Sequence, residues 1–264
     1  MNWLVSKSSE GSNSLADDSV RYKFTVSYDG TLYWGFQRQK GHPTIQEELE
    51  KALAKLGWEE SSIIGAGRTD SGVHADGQVF TAKLRWNHSL SSLIAAINWH
   101  LPADIAVTGI EPVPDTFHAR FDARSRSYHY YVYHDEVRDP LKDRYFWRVW
   151  PVLDLKMLNR AAAELLGEHD FRSFGSPPRK GGRTVRTVMK SCWYEISATE
   201  RVFEVEANAF LYRMVRRMVF LQIQTAAGWM SWDSWKNAIW NAEDAKPGIA
   251  PANGLRLHAV SYEP

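Results

Sequence analysis

A single cysteine, Cys192, stands among 264 residues, which excludes a disulfide framework and a cysteine-rich zinc centre. It falls in Met189-Lys190-Ser191-Cys192-Trp193-Tyr194, a strand-like run in which packing is its expected role. Long apolar runs are missing as well. The N-terminal one is only Trp3-Leu4-Val5, so neither a secretory leader nor a membrane span is expected, and the chain is expected to be cytoplasmic. Net charge is scarce: 32 basic against 31 acidic residues leave +1, and no overall field marks out a polyanionic partner. There is no Gly-Lys-Ser/Thr phosphate cradle. Gly65 and Gly67 do not continue into a dinucleotide fingerprint, because the third glycine would fall at Asp70. His74, His100, His118 and His129 show no HExxH-like spacing, so no metal site is expected.

What the total charge hides, its distribution shows. No acid occurs between Phe171 and Tyr194, where Arg172, Arg179, Lys180, Arg183, Arg186 and Lys190 fall. None occurs between Ala207 and Trp232, which hold Arg213, Arg216 and Arg217. A third basic stretch places His118, Arg120, Arg124, Arg126 and His129 around the single Asp122. Any one such run is ordinarily a solvated face; three together make a polyanion footprint.

The length suits one large domain or two moderate ones. Residues 1–19 are polar and read as a disordered tail. Tyr22, Phe24, Val26 and Tyr28 alternate with polar residues, as in a strand with one buried face. Thr44 with Glu47 makes a capping box opening a helix that closes at Gly57. Strands are predicted over 61–66, 78–86 and 104–113, with a helix over 89–100 between the last two. The rhythm then repeats: a strand over 128–134, a helix capped by Asp154, a basic loop marked by Pro177-Pro178 and Gly181-Gly182, strands over 187–198 and 201–209, helices over 211–227 and 231–241, and a last strand over 255–262. Strands follow strands and helices arrive singly, which predicts an α+β fold: two similar α/β halves, 20–113 and 114–264, with mixed, largely antiparallel sheets meeting at a central basic cleft.

Three features carry chemistry. The first is Gly65-Ala66-Gly67-Arg68-Thr69-Asp70-Ser71-Gly72-Val73-His74, a carboxylate on a glycine-ringed turn open to a ligand. An Asp capping a turn is the commoner meaning of such a tripeptide. The second is the run from Leu211 to Ile223, nearly apolar all round and so a buried helix. Arg216 sits there among Tyr212, Arg213, Val219 and Phe220, and a buried guanidinium needs a carboxylate. Asp70 is one candidate across a cleft; Glu204 and Glu206 are others. The third is Tyr128, Tyr130, Tyr131 and Tyr133 on one strand, pointing to both faces. A tyrosine in a cleft can stack on a nucleobase, although packing is the ordinary fate of each.

Together, Tyr28 to Gln39, Gly65 to Ala75, Phe117 to Phe121, Asn208-Ala209-Phe210 with Met214-Val215-Arg216, and Ala250 to Leu255 resemble the TruA family of tRNA pseudouridine synthases. The resemblance spans residues 20 to 263 in the family's order. It departs at Ser71, where alanine is usual, and in the N-terminal extension. It implies isomerisation of uridine to pseudouridine in the tRNA anticodon stem-loop, at positions 38 to 40. In that reaction the N1–C1′ bond breaks, the base turns, C5 joins C1′, and the C5 proton leaves. By the same likeness Asp70 is the essential catalyst, as a nucleophile at C1′ or as a base at C2′–H. Arg216 is its ion-pair partner, and Tyr128 stacks on the flipped uracil. Arg68, Thr69, His74 and Leu255 contact the substrate nucleotide, and Arg38, Arg120, Arg183 and Arg213 contact RNA. The reaction is redox-neutral, so no cofactor or metal is implied; a homodimer is. Two rivals stay open: a hydrolytic glycosidase recruiting Asp76 as the second carboxylate, and a non-catalytic tRNA-binding protein.

Overall fold

Alternation of apolar and polar side chains builds the first strand, and its burial follows the alternation residue by residue. In a computed structural model that describes residues 18–263, β1 (Val20–Tyr28) buries Tyr22, Phe24, Val26 and Tyr28 and leaves the intervening residues partly open. It pairs antiparallel with β3 (His74–Leu84) and β4 (Ile105–Pro112). The short β2 (Ile64–Gly65) also pairs with β3. Helices α1 (Ile45–Ala54) and α2 (Leu90–His100) start at Thr44 and Ser89, whose hydroxyls accept from backbone N–H groups three residues on.

The second half holds β5 (Ser125–Tyr133), β6 (Trp147–Arg148), β7 (Gly167–Asp170), β8 (Val185–Glu195) and β9 (Glu200–Ala207). Its helices are α3 (Leu155–Ala163), α4 (Met214–Ala226) and α5 (Trp232–Trp240), with Asp154 and Ser231 capping α3 and α5. The chain ends in β10 (Leu255–Ser261). The fold is α+β, and its sheet is mostly antiparallel; only β10 with β3 and β6 with β5 run parallel.

The expected pair of sheets is one sheet. Its strand order is β4-β1-β3-β10-β5-β9-β8-β7. The C-terminal strand β10 fills the seam, with Leu257 beside both Ala75 and Tyr128. Two apolar clusters lie along the sheet. One gathers Phe24, Phe80, Leu49, Leu93 and Val107; the other gathers Tyr130, Phe203, Leu158, Met218 and Trp235. Phe24 and Phe80 stack face to face, centroids 4.6 Å apart and planes 3° from parallel.

Several boundaries differ from expectation for local reasons. The strand predicted over 61–66 shrinks to Ile64–Gly65. The next begins earlier, at His74, because His74 and Ala75 pair with β10, and ends at Leu84, which faces the first residue of β1. Helix α4 starts at Met214 rather than 211, since Arg213 adopts a left-handed backbone at φ 64° and breaks the run before it. β6 and β7, two and four residues long, were too short to leave a periodic signal. The tail expected over 1–19 lies outside the described residues up to position 17.

A polar clasp also crosses the seam. Asp29, at the end of β1, accepts from Arg144 Nε at 2.8 Å, Tyr145 Oη at 2.9 Å and the backbone and hydroxyl of Thr31. Burial disfavours its charge, but these donors outweigh burial and hold the carboxyl well below the usual range. The unfolded chain therefore binds this proton more readily than the folded one. The stability Asp29 contributes is complete above the unfolded pKa, near 4, and drains away as pH falls. Asp29→Asn is expected to cost about 1–3 kcal/mol at neutral pH. In urea titrations the gap to wild type should narrow from pH 5 to pH 3; a gap independent of pH would contradict the assignment.

Candidate active site

Close backbone approach shapes the 65–74 turn. Gly35, at φ 92°, lies where a Cβ would come within 2.5 Å of the Thr69 carbonyl. The Phe36 N–H donates to that carbonyl at 3.1 Å, and the Gly72 N–H to the Tyr33 carbonyl at 3.2 Å. Ser71 donates its hydroxyl to the same Tyr33 carbonyl at 3.2 Å. This hydroxyl and the Gly72 N–H tie the turn twice to one carbonyl. Asp70 is thus held on a braced loop between β2 and β3.

Across from it, the first turn of α4 presents Arg216. Its Nη1 donates to Asp70 Oδ2 at 2.9 Å, and its Nε donates to the Ala250 carbonyl at 2.8 Å. The side chains are 21% and 13% exposed, so the pair is poorly screened yet reachable from the cleft. Asp70 Oδ1 accepts no hydrogen bond among the described residues, leaving one carboxylate oxygen fixed and one available. The alternative partners are engaged elsewhere: Glu204 with Lys190 at 2.8 Å and Glu206 with the Ser125 hydroxyl at 2.5 Å.

These residues line a cleft of about 1230 Å³. Among the described residues its walls carry six arginines, 68, 120, 126, 186, 213 and 216, and one carboxylate, Asp70. Tyr128 faces the cleft, edge-on to Phe210 at 5.1 Å. Burial pushes its phenol up to about 12; Arg126 pulls the other way and the Asp70 charge adds to the rise. Tyr128 is therefore a neutral aromatic at physiological pH. Leu255 adds an apolar surface, 6% exposed. Arg68 is exposed on the wall and makes no hydrogen bond or ion pair among the described residues.

Of the residues expected to touch substrate or RNA, Asp70, Tyr128, Arg216, Arg68, Thr69, Leu255, Arg120 and Arg213 come together here. Thr69 is committed inward: its hydroxyl hydrogen-bonds the Tyr28 hydroxyl at 2.8 Å. Three others lie away from the cleft. His74 is buried under the turn, where its Nδ1 accepts from the Gly30 N–H at 3.0 Å and its ring packs on Tyr145. Burial lowers its pKa, so a charge there is disfavoured. Arg38 pairs with Glu50 at 2.6 Å, and Arg183 lies 3.8 Å from Glu168 on an exposed edge. Asp76 also faces elsewhere, toward Arg256 and His258. The paired carboxylates of a glycosidase are therefore not assembled in this cleft.

Two arginines of the cleft were not anticipated as site residues. Arg126 donates to four carbonyls, of Ala123, Asn208, Ala66 and Arg120, at 2.7–3.2 Å. Arg186 donates to the carbonyls of Arg183 and Val185, while its buried Nε has no partner. Burial lowers the pKa of both. Arg126 was legible in principle, since residues 126 and 128 share one face of β5.

A family model described as tRNA pseudouridine synthase matches residues 25–122 and 161–263. The chain belongs to the tRNA pseudouridine synthase family. Asp70, Arg216, Arg68 and Leu255 fall inside the matched segments, and Tyr128 falls between them. Over 248 residues the chain is 40% identical to tRNA pseudouridine synthase A of Methylacidiphilum infernorum, covering 93% of this chain and 96% of that one. It is 40% identical over 254 residues to the protein of that name from Bordetella petrii, covering 92% of each. The Streptococcus pyogenes counterpart is 38% identical over 248 residues, covering 92% of this chain and 99% of that one. A solved archaeal box H/ACA Nop10–Cbf5 complex aligns at 14% identity and a TM-score of 0.34, over 77% of this chain and 43% of that one; that likeness is too slight to support an argument.

Arg216→Ala leaves the Asp70 charge unpaired and the Ala250 carbonyl without its donor. The expected loss is about 1–3 kcal/mol of stability in urea unfolding. Because the penalty resides largely in the orphaned charge, Arg216→Ala/Asp70→Asn is expected to be more stable than Arg216→Ala alone. Simple additivity of two losses would argue against the pairing.

Proposed function

We propose that this chain isomerises uridine to pseudouridine in the anticodon stem-loop of tRNA, with Asp70 as the catalytic group. The observation that carries the assignment is one braced carboxylate, with one free oxygen, in a cleft whose walls also carry six arginines. The arginines offer charge to phosphates and set RNA orientation. The carboxylate is the one acidic group available at the reacting sugar.

The target nucleotide must leave the stack to reach Asp70, at a cost of a few kcal/mol that is smaller near a loop. Tyr128 stacks on the extruded uracil and Leu255 supports it from the apolar side. Arg68, exposed and uncommitted, holds the nucleotide out of the stack. The N1–C1′ bond then breaks, and the Asp70 carboxylate serves C1′ directly or takes the C2′ proton; both routes use its free oxygen. The detached uracil turns within the aromatic wall and C5 bonds to C1′. Loss of the C5 proton restores the ring, so no electrons are exchanged with an outside partner.

Residues 20–113 supply the catalytic turn and residues 114–264 complete the cleft. The protein acts as a cytoplasmic homodimer, consistent with its tRNA substrate. A non-catalytic tRNA-binding protein would keep the arginines but would have no use for a paired carboxylate at their centre.

Incubation with tRNA carrying [5-³H]uridine is expected to release tritium while the RNA chain stays intact, and nucleoside analysis should recover pseudouridine. Free uracil with an abasic ribose would instead indicate hydrolysis. Binding without either product would return the protein to the non-catalytic class.

A further inference from the structure

Beside the cleft, across a narrow ridge, lies a second cavity of about 450 Å³. The ridge is built by a backbone bridge in which the Tyr212 N–H donates to the Ser176 carbonyl at 2.9 Å. Gly175 is pressed so close that a Cβ would lie 2.4 Å from the Tyr212 carbonyl. Ser176, Tyr212 and Arg213 line both cavities, so a strand leaving the cleft over this ridge enters the second one directly.

The second cavity is lined by Arg172, Arg213 and Arg217 and by no acid. Arg172 is neutralised by Asp170, which lies outside the lining. The other two are not. Arg217 is held by the carbonyls of Gly248 and Ala245 at 2.5 and 2.9 Å and meets no carboxylate among the described residues. The Arg213 guanidinium makes no hydrogen bond among the described residues and lies over the Tyr212 ring at 4.7 Å. Tyr212 itself is 53% exposed. Carbonyls orient a guanidinium without cancelling its charge, so the cavity pairs two uncompensated cations with an exposed aromatic ring. That is the combination by which proteins hold single-stranded nucleic acid: charge for the backbone and a ring for the base.

We propose that this second cavity holds the RNA nucleotide that flanks the target on the exit side of the cleft, its phosphate between Arg213 and Arg217 and its base against Tyr212. The proposal rests on the isomerase reading for the identity of the RNA. The phosphate is one of the bound tRNA's own, because the shared ridge makes the two cavities one path.

The test is the salt dependence of tRNA binding, measured by filter binding between about 50 and 200 mM KCl. Each phosphate contact contributes about 0.7 to 0.9 to the slope of log K against log salt. Arg217→Gln and Arg213→Gln should each flatten the slope by about that amount. Tyr212→Ala should weaken binding about tenfold with the slope unchanged. Lys156→Gln, which removes an equal charge from an exposed position outside both cavities, should match wild type. A folded Arg217→Gln protein with the wild-type slope would overturn the proposal. Should Arg217→Gln fail to fold, wild-type behaviour of both Arg213→Gln and Tyr212→Ala overturns it equally. These readings come from binding alone. A wild type that binds tRNA without releasing tritium therefore sinks the isomerase reading, while the slopes still decide this one.

Discussion

The ion pair between Asp70 and Arg216 joins residues 146 positions apart, and the arrangement of the cleft depends on it. One partner stands on a loop that feeds β3, the other on the first turn of α4. Neither element positions the site alone. The loop is braced from behind by Gly35, Phe36 and Tyr33, and the helix end is tied through Arg216 to the carbonyl of Ala250. The pair spans the cleft between two apolar clusters that share one sheet, and β10 joins the two sides by pairing with β3 and β5. A buried pair of this kind is weak evidence for stability as such, since desolvation offsets much of its attraction. Its value here is orientation of a reactive carboxylate.

The surrounding electrostatics follow one rule. Apart from Arg216, which pairs with Asp70, three arginines near the cleft are fixed by backbone carbonyls and not by acids: Arg126 by four of them, Arg186 and Arg217 by two each. A carbonyl satisfies N–H groups and leaves the formal charge in place. Burial makes that charge costly, as the lowered pKa values of all three show. The cost is offset when a polyanion arrives. A chain with a net charge of only +1 thereby concentrates positive potential in one place, with Asp70 as the one acid among the described residues of the cleft lining.

Much of this was legible from the chain. Alternation in β1 and the caps at Thr44 and Asp154 mark their elements directly, because those signals are local. The family motifs led to Asp70 and Arg216, and the apolar surroundings of Arg216 demanded a carboxylate. What the sequence could not reveal is non-local or lacks periodicity. Insertion of β10 between β3 and β5 depends on pairing between distant segments, so one sheet reads as two. The left-handed Arg213 delays α4 by three residues, which no propensity scale anticipates for an arginine. His74 reads like a site residue beside Asp70, yet the first residue of β3 points down to Gly30 and Tyr145. Arg38 belongs to a family-like segment and Arg183 to a basic stretch, but acids on neighbouring elements meet them. Arg126 and Arg186 stand in the basic stretches, but the carbonyls that fix them in the cleft leave no trace in a sequence.

The most direct test of the account is Asp70→Asn, an isosteric change that removes the charge and keeps the shape. The variant should fold, bind tRNA as tightly as wild type to within a few-fold, and form no pseudouridine in a single-turnover assay with enzyme in excess. Pseudouridine formation at the wild-type rate by a folded Asp70→Asn protein would contradict the assignment of that carboxylate as the catalytic group.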